Sequence, residues 1–321
     1  MSFCCDNCFA SETLKDFIKK HGEPGHCDFC GSDSQHCIEP SELKDLFSPL
    51  VNLYEEIVNF MPLEDLKENK GDLLWEKLTY DWDVFRFYDI GKQDELLEEM
   101  GFSADQLVED EDGYWGTDIE YHKDLQKDWD AFREEIQHQN RFFPEHTLKL
   151  LEELLPYAIN AVRGNELFYR ARESKGSKLS PDDMGSPGPQ KASPGRGNPE
   201  GISYLYLASD EDTALSEVKP RVGMNVTIGR FLIPNDLKVI DLRNPSIDDP
   251  FKHGNKLKHL VENMPLLRIV GNELSKPVQP DESGLDYLPS QYLCELVKKN
   301  GYDGVIYKSS VSNGHNLLLF S

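Results

Sequence analysis

The sequence lacks an apolar run of about 18 to 20 residues, the length that a helix needs to cross a bilayer. At its start it also lacks a positively charged stretch followed by an apolar one, so we expect no secretory signal. Basic residues are scarce, because 34 Lys and Arg stand against 58 Asp and Glu, and the formal net charge is −24. Such a charge repels phosphate backbones. We therefore predict a soluble cytoplasmic protein that binds neither membrane nor nucleic acid.

The negative charge is confined to the first half of the chain. Residues 1–160 contain 38 acidic and 14 basic side chains, whereas residues 161–321 contain 20 of each. This asymmetry, in a chain of 321 residues, predicts separate modules. The acidic half either keeps the chain in solution or binds a basic protein partner that inhibits or activates it.

Six of the seven cysteines lie within the first 37 residues, and four of them form two Cys-x2-Cys pairs. A two-residue spacing lets both thiolates of a pair converge on one tetrahedral ion, and two pairs complete four ligands. We therefore predict one zinc ion bound by Cys5, Cys8, Cys27 and Cys30. Cys4 is an alternative to Cys5, and His26, His36 and Cys37 are near enough in the sequence to compete as ligands. A zinc ion with four sulfur ligands has no position for water, so its predicted role is structural.

The pattern of apolar residues predicts an α+β protein with three domains. Residues 1–40 are expected to form a zinc-binding knuckle, residues 41–163 an acidic helical domain, and residues 164–321 a domain with a mainly antiparallel sheet. Helical periodicity covers two segments in particular, 41–60 and 146–163.

The last domain carries most of the strand signals. A turn at residues 234–236 predicts a hairpin between the third and fourth strands. A Gly-, Pro- and Ser-rich loop at 174–201 is expected to become ordered when a ligand binds. A helix is predicted at 289–301, and the predicted strands are 168–172, 204–208, 225–233, 237–242, 304–309 and 316–320.

Three segments of this domain have polar residues where a strand or core helix is usually apolar. They read FYRAR at 168–172, GRGNPEG followed by YLYLA and TALSEV within 195–218, and GYDGVIYKSS at 301–310. In this order they resemble the RES domain family, which is named for its Arg, Glu and Ser residues. The resemblance covers residues 165–321. The acidic helical region is similar to the HEPN-type module that precedes some RES domains.

The resemblance implies a fold like that of ADP-ribosyltransferase toxins and an enzyme that acts on NAD. Family members cleave the nicotinamide–ribose bond by hydrolysis or phosphorolysis, some transfer ADP-ribose, and many are bacterial toxins or defence effectors. The acceptor of ADP-ribose in this chain stays open between water, phosphate and a protein.

The resemblance also assigns site residues. It implies catalytic roles for Arg170, Glu217 and Ser309, with Ser310 and Ser290 as alternatives for the serine. Guanidinium groups pair with diphosphate oxygens, and a carboxylate stabilises the positive charge that develops on the ribose. The NAD-binding residues implied in this way are Arg170, Arg196, Tyr206, Arg172 and Tyr169.

Two other functions compete with this one. The pairs Arg133/His138 and Arg141/His146 match the Arg-x4–6-His pattern of HEPN ribonucleases, although chance alone produces about one match to this pattern in a chain of this composition. A non-catalytic sensor or adaptor, acting through the knuckle and the acidic helices, is the second alternative.

Overall fold

The computed structural model describes residues 2–56, 72–102, 115–117, 124–144, 146–276 and 284–320. The chain divides into two compact units. The first consists of Met1–Lys123 and Ile247–Glu262, and the second of Asp124–Ser246 and Asn263–Ser321. None of the described helices is long and apolar enough to span a membrane.

The first unit contains short helices around one apolar core. Its three-stranded antiparallel sheet has the order β1-β3-β2, and β4 pairs with β5. Its elements are β1 (Cys4–Cys5), α1 (Glu12–His21), β2 (Glu23–His26), β3 (Asp33–Ile38), α2 (Lys44–Val51), β4 (Tyr54–Glu56), α3 (Leu74–Trp82), α4 (Ile90–Glu99) and β5 (Trp115–Thr117).

A segment from late in the sequence, Ile247–Glu262, completes the core of this first unit. The ring of Phe251 lies 4.8 Å from that of Phe47, centroid to centroid, and both are buried. The carboxylate of Asp249 accepts hydrogen bonds from Ser11 Oγ at 2.9 Å and from Thr13 Oγ1 at 2.8 Å, at the start of α1. Because a helix N-terminus favours negative charge, this residue fastens the late segment to α1.

The second unit is built on a seven-stranded sheet with helices against it. The strand order is β6-β10-β11-β12-β8-β7-β9. Its elements are α5 (Leu125–Glu134), α6 (His146–Leu154), β6 (Ile159–Val162), β7 (Leu167–Glu173), α7 (Pro181–Met184), β8 (Tyr204–Ala208), α8 (Glu211–Glu217), β9 (Val226–Leu232), β10 (Leu237–Asp241), α10 (Pro265–Ser275), α11 (Leu288–Lys299), β11 (Gly304–Lys308) and β12 (His315–Phe320). Helix α9 (Leu257–Asn263) begins in the first unit.

The predicted fold class is confirmed. Among the described strands of the large sheet, β10 and β11 form a parallel pair and the other neighbours are antiparallel. The predicted strands at 168–172, 204–208, 304–309 and 316–320 and the helix at 289–301 are confirmed within a residue or two. Each is a short segment whose own composition and flanking residues predict its type.

Three predictions about elements are wrong. The helix expected over 146–163 ends at Leu154, because residues 159–162 pair with β10 as strand β6. The helix expected over 41–60 ends at Val51 and is followed by β4, while residues 57–60 lie outside the described part. The hairpin between β9 and β10 does not form, because β9 pairs with β7 and β10 lies between β6 and β11.

The two units also divide the chain differently from the predicted domain boundaries. Helices α5 and α6 fall before residue 163 yet belong to the second unit. Trp129 and Phe132 of α5 are buried there, and the Phe132 ring packs edge-on against Tyr292 of α11 at 6.0 Å. Burial of these two aromatic side chains explains why α5 stays with the sheet domain.

Candidate active site

Glu217 lies at the last residue of α8, a helix whose start is fixed by Asp210. The Asp210 carboxylate accepts from the backbone N of Thr213 at 2.7 Å, as an N-cap residue does. The carboxylate of Glu217 accepts two hydrogen bonds on the same oxygen, Oε1. Ser309 Oγ donates one at 2.8 Å, and Asn316 Nδ2 donates the other at 2.7 Å. The end of α8, the end of β11 and the start of β12 therefore meet at this carboxylate.

Arg170 lies on β7 with its guanidinium group half-buried. Its Nη1 donates to the carbonyl oxygens of Met184, at 3.3 Å, and Gly185, at 2.8 Å. Burial lowers the pKa of Arg170 to about 10, and the charge of Arg172 acts in the same direction. Two residues along the strand, Arg172 donates to the carbonyl of Asp183. Both arginines thus hold the loop that follows β7, and Arg170 keeps its charge at neutral pH.

Arg196 lies in the second part of that loop, which Asn198 holds in a defined shape. The Asn198 amide donates to the carbonyls of Ser193 and Ile202, both at 3.0 Å. Tyr206 on β8 donates its hydroxyl proton to Asn198 Oδ1 at 2.7 Å. Burial raises the pKa of Tyr206, so its hydroxyl stays protonated and able to donate.

Two side chains of helix α11 donate hydrogen bonds to the backbone of the same loop. Ser290 Oγ donates to the backbone oxygen of Arg196 at 2.6 Å, and Gln291 Nε2 donates to that of Gly195 at 2.8 Å. The Arg196 guanidinium carbon lies 5.4 Å from the centre of the Tyr287 ring, within the range of a cation–π contact. Gly197 packs so closely that an added Cβ would come within 2.3 Å of Leu318. Packing therefore requires a glycine at position 197.

Two adjoining cavities, of about 360 and 300 Å³, open on these residues. Both volumes are in the range of small-molecule sites. The walls of both include Arg170, Tyr206, Glu217, Tyr307 and Asn316. The larger cavity adds basic residues, which are Arg196, Lys219, Lys276 and Lys308. The smaller adds mostly apolar or aromatic ones, which include Tyr169, Leu207, Ala208, Ala214 and Val218, together with Arg172.

Most residues named from the sequence line one pair of cavities, whereas Ser309 is not among the lining residues of either; those that line them are Arg170, Arg172, Arg196, Tyr169, Tyr206 and Glu217. The serine alternatives separate by their contacts: Ser309 touches Glu217, Ser310 lines the larger cavity, and Ser290 is buried beneath the loop of Arg196. Sequence reasoning gave no role to Asn316 or Tyr307. The signal for Asn316 is a single polar residue at the head of a run of leucines in a central strand.

The first unit brings the four predicted cysteines together. Their Sγ atoms all lie within 4.8 Å of one another, with Cys8 and Cys27 at 3.4 Å and Cys5 and Cys30 at 3.5 Å. Sulfurs about 2.3 Å from a tetrahedral zinc ion are about 3.8 Å apart, so the four thiols fit such an ion. Cys4 points elsewhere, with its Sγ 3.6 Å from the carbonyl of Ile38, because successive side chains of a strand face opposite sides.

The residues suggested for a ribonuclease show a different environment. The Arg133 guanidinium faces two carboxylates, at 3.7 Å from Asp130 and 3.8 Å from Glu273, and His138 is exposed. Arg133 therefore has an ion-pair role within the second unit. In the other pair, the side chain of His146 lies outside the described residues.

Comparison with known families identifies two domains in the chain. Residues 167–321 match the RES domain, and residues 20–149 match HEPN/RES N-terminal domain 1. The chain therefore belongs to the RES domain family and carries a HEPN/RES N-terminal domain before the RES domain. RES domains are associated with NAD-related toxin–antitoxin systems. No curated protein and no solved structure matches the chain.

Proposed function

We propose that this protein degrades NAD by cleaving the bond between nicotinamide and ribose, with water or phosphate as the acceptor. One observation carries the proposal: Arg170, Tyr206 and Glu217 line both of two adjoining cavities, one rich in cations and one largely apolar. A dinucleotide with a charged diphosphate and a flat aromatic base requires such a pair of environments. Membership of the RES family points to the same substrate.

The larger cavity is the proposed site of the diphosphate. Guanidinium groups present several N–H donors in one plane and pair with two phosphate oxygens at once. Arg170 is fixed by the carbonyls of residues 184 and 185, and Arg196 by the contacts of its loop. Both cations thus have contacts within the protein at the wall of the larger cavity, and the loop at 174–201 that carries Arg196 is the segment expected to become ordered when the dinucleotide binds.

The smaller cavity is the proposed site of nicotinamide. Tyr169 and the ring of Tyr206 offer aromatic faces, and Ala214 and Val218 on the α8 side keep the space narrow and apolar. Arg172 lies at the edge of this cavity, where its charge can hold a substrate carbonyl or phosphate.

Cleavage moves the two electrons of the C1′–N bond onto nicotinamide, which leaves as a neutral molecule. The ribose then carries positive charge, shared between C1′ and the ring oxygen. The carboxylate of Glu217 stabilises this charge, and Ser309 holds the carboxylate by its hydroxyl. The acceptor adds to C1′ and, when it is water, releases a proton to solvent.

The four cysteines are proposed to bind one structural zinc ion. A site with four thiolate ligands has no position for substrate, so the ion stabilises the N-terminal unit without entering the reaction. The acidic half of the chain is the proposed surface for a regulatory protein partner, in a cytoplasmic toxin or defence effector.

Incubation of the purified protein with NAD tests the proposal, with the products separated by chromatography in the presence and absence of phosphate. We expect free nicotinamide in both reactions when water is the acceptor, and only in the reaction with phosphate when phosphate is the acceptor. ADP-ribose is the second product of hydrolysis, and a phosphorylated ADP-ribose that forms only when phosphate is added indicates phosphorolysis. NAD that stays intact in both reactions contradicts the proposal.

A further inference from the structure

Asn316 occupies a rigid position in the large sheet. Strand β12 lies between β11 and β8, and Asn316 pairs with Tyr307 on one side and Ala208 on the other. The residue is only 7% exposed. Its backbone is thus fixed by two neighbouring strands, and the amide projects from a point that does not move with α8.

The direction of the amide is set by chemistry. A carboxylate offers only acceptors, so the group that lies 2.7 Å from Glu217 Oε1 has to be the NH2 of Asn316. Ser309 adds a second donor to this same oxygen at 2.8 Å. Its Oγ also accepts from the backbone N of Val311 at 3.2 Å, which leaves its proton for Glu217.

Both bonds end on Oε1, and neither uses Oε2. We propose that Asn316 is a positioning residue for Glu217, whose amide turns the carboxylate so that Oε2 faces the ribose of the bound dinucleotide. This inference rests on the proposed function, because it assumes that the charge of Glu217 acts on the ribose of a bound dinucleotide.

The charges around Glu217 explain why a neutral donor suits this position. Arg170 and Arg196 and the lysines at 219 and 308 line the same cavity and attract any mobile carboxylate. A glutamate at the end of a helix has several rotamers, and an ion pair with one of these cations would offset the charge that the ribose needs. The amide of Asn316 is neutral, so it fixes the side chain of Glu217 and leaves the full negative charge of that carboxylate available to the ribose.

A double-mutant cycle tests this positioning role. Asn316→Leu keeps the size of the side chain and removes the donor, and the cycle combines it with Glu217→Gln. We expect Asn316→Leu alone to lower kcat for nicotinamide release about tenfold while the Kd of NAD changes less than twofold. In the Glu217→Gln background the same change should alter the residual rate less than twofold. The matched control, Asn300→Leu, removes an amide that donates to the carbonyl of Leu296 at the end of α11.

Asn316→Asp provides a second test with the original shape. It places a carboxylate oxygen against Glu217, so we expect a larger loss of kcat than in Asn316→Leu, again without loss of NAD binding. Equal losses from Asn316→Leu in both backgrounds, or a loss that follows the fraction of unfolded protein, would overturn the positioning role. A wild-type protein that releases no nicotinamide would instead overturn the proposed function, and the positioning role with it.

Discussion

Replacing Glu217 with Gln removes one negative charge and keeps the contacts that anchor the side chain. The Gln carbonyl can accept from Ser309 Oγ and Asn316 Nδ2 as Oε1 does now, at 2.8 and 2.7 Å. The variant should therefore fold as the wild type does and change only the electrostatics of the cavity. This makes it the most direct test of the carboxylate.

The expected loss follows from the charge that develops on the ribose. Two unit charges about 4 Å apart interact by about 4 kcal/mol at an effective dielectric constant near 20. The ribose carries only part of a unit charge in the transition state, and Glu217 is exposed to the open cavity. We therefore expect a loss of about 3 kcal/mol, which lowers kcat about a hundredfold.

The assay separates binding from turnover. Nicotinamide release gives kcat and KM, and calorimetry gives the Kd of NAD for the slow variant. We expect kcat to fall far more than the affinity, because the interaction strengthens as nicotinamide leaves. Glu173→Gln, at the exposed end of β7, is the matched control and should keep the wild-type rate.

Two results would refute this reasoning. A Glu217→Gln protein that consumes NAD at the wild-type rate removes the carboxylate from the mechanism. A variant with normal kcat and a raised KM shows that Glu217 binds the substrate equally in its ground and transition states.

Three further predictions concern the support of the site and the metal. Cys27→Ser should remove the one zinc ion per chain that elemental analysis is expected to find, and should lower the thermal stability of the first unit. The control Cys37→Ser, outside the cluster, should keep the ion, and zinc retained in Cys27→Ser contradicts the ligand set. Tyr206→Phe removes the hydroxyl that donates to the buried side chain of Asn198. We therefore expect the free energy of unfolding in denaturant to fall by about 1–3 kcal/mol and the KM for NAD to rise. Unchanged values of both would show that the hydrogen bond from Tyr206 to Asn198 is dispensable. The Ser209 hydroxyl holds the pKa of Asp210 below its usual range. The Asp210 carboxylate therefore stabilises the fold above the ordinary aspartate pKa, and this stabilisation is lost as the pH falls through the lowered pKa of the folded state. Thermal unfolding measured between pH 5 and 2 should show stability falling with pH, and Asp210→Asn should reduce that fall.

The local sequence was sufficient for single elements but not for their pairing. The short β-branched, aromatic and apolar runs of β7, β8, β11 and β12 predict strands, and each strand forms where it was expected. The turn at Pro234–Asp236 looks like a hairpin, yet its Asp236 carboxylate accepts from the backbone of Gly164 at 2.7 Å and from the side chain of Arg163 at 3.2 Å. Gly164 and Arg163 lie 72 and 73 positions before Asp236 in the chain, so the sequence around the turn does not predict these contacts.

The same limit applies to the site. Paired spacing was enough to select the cysteines, and strand geometry then distinguishes Cys5 from Cys4. The arginines, Glu217 and Ser309 were named through a resemblance, because each residue alone has an ordinary surface role. Asn316 was not assigned, since a lone polar residue in a strand gives no information about which side chain faces it across the fold. Its partner lies 99 positions earlier in the chain.

The return of Ile247–Glu262 to the first unit has a consequence for anyone who shortens this protein. A fragment that starts at residue 164 would contain Phe251 and Leu257 without the side chains that bury them, and exposed apolar surface of this kind promotes aggregation. A fragment that ends at residue 163 would lack the ring of Phe251, which packs against Phe47, and the carboxylate of Asp249, which accepts a hydrogen bond from Ser11 at the start of α1. Neither half is expected to be stable when expressed alone, and grafting this RES domain onto another protein requires a redesign of residues 247–262.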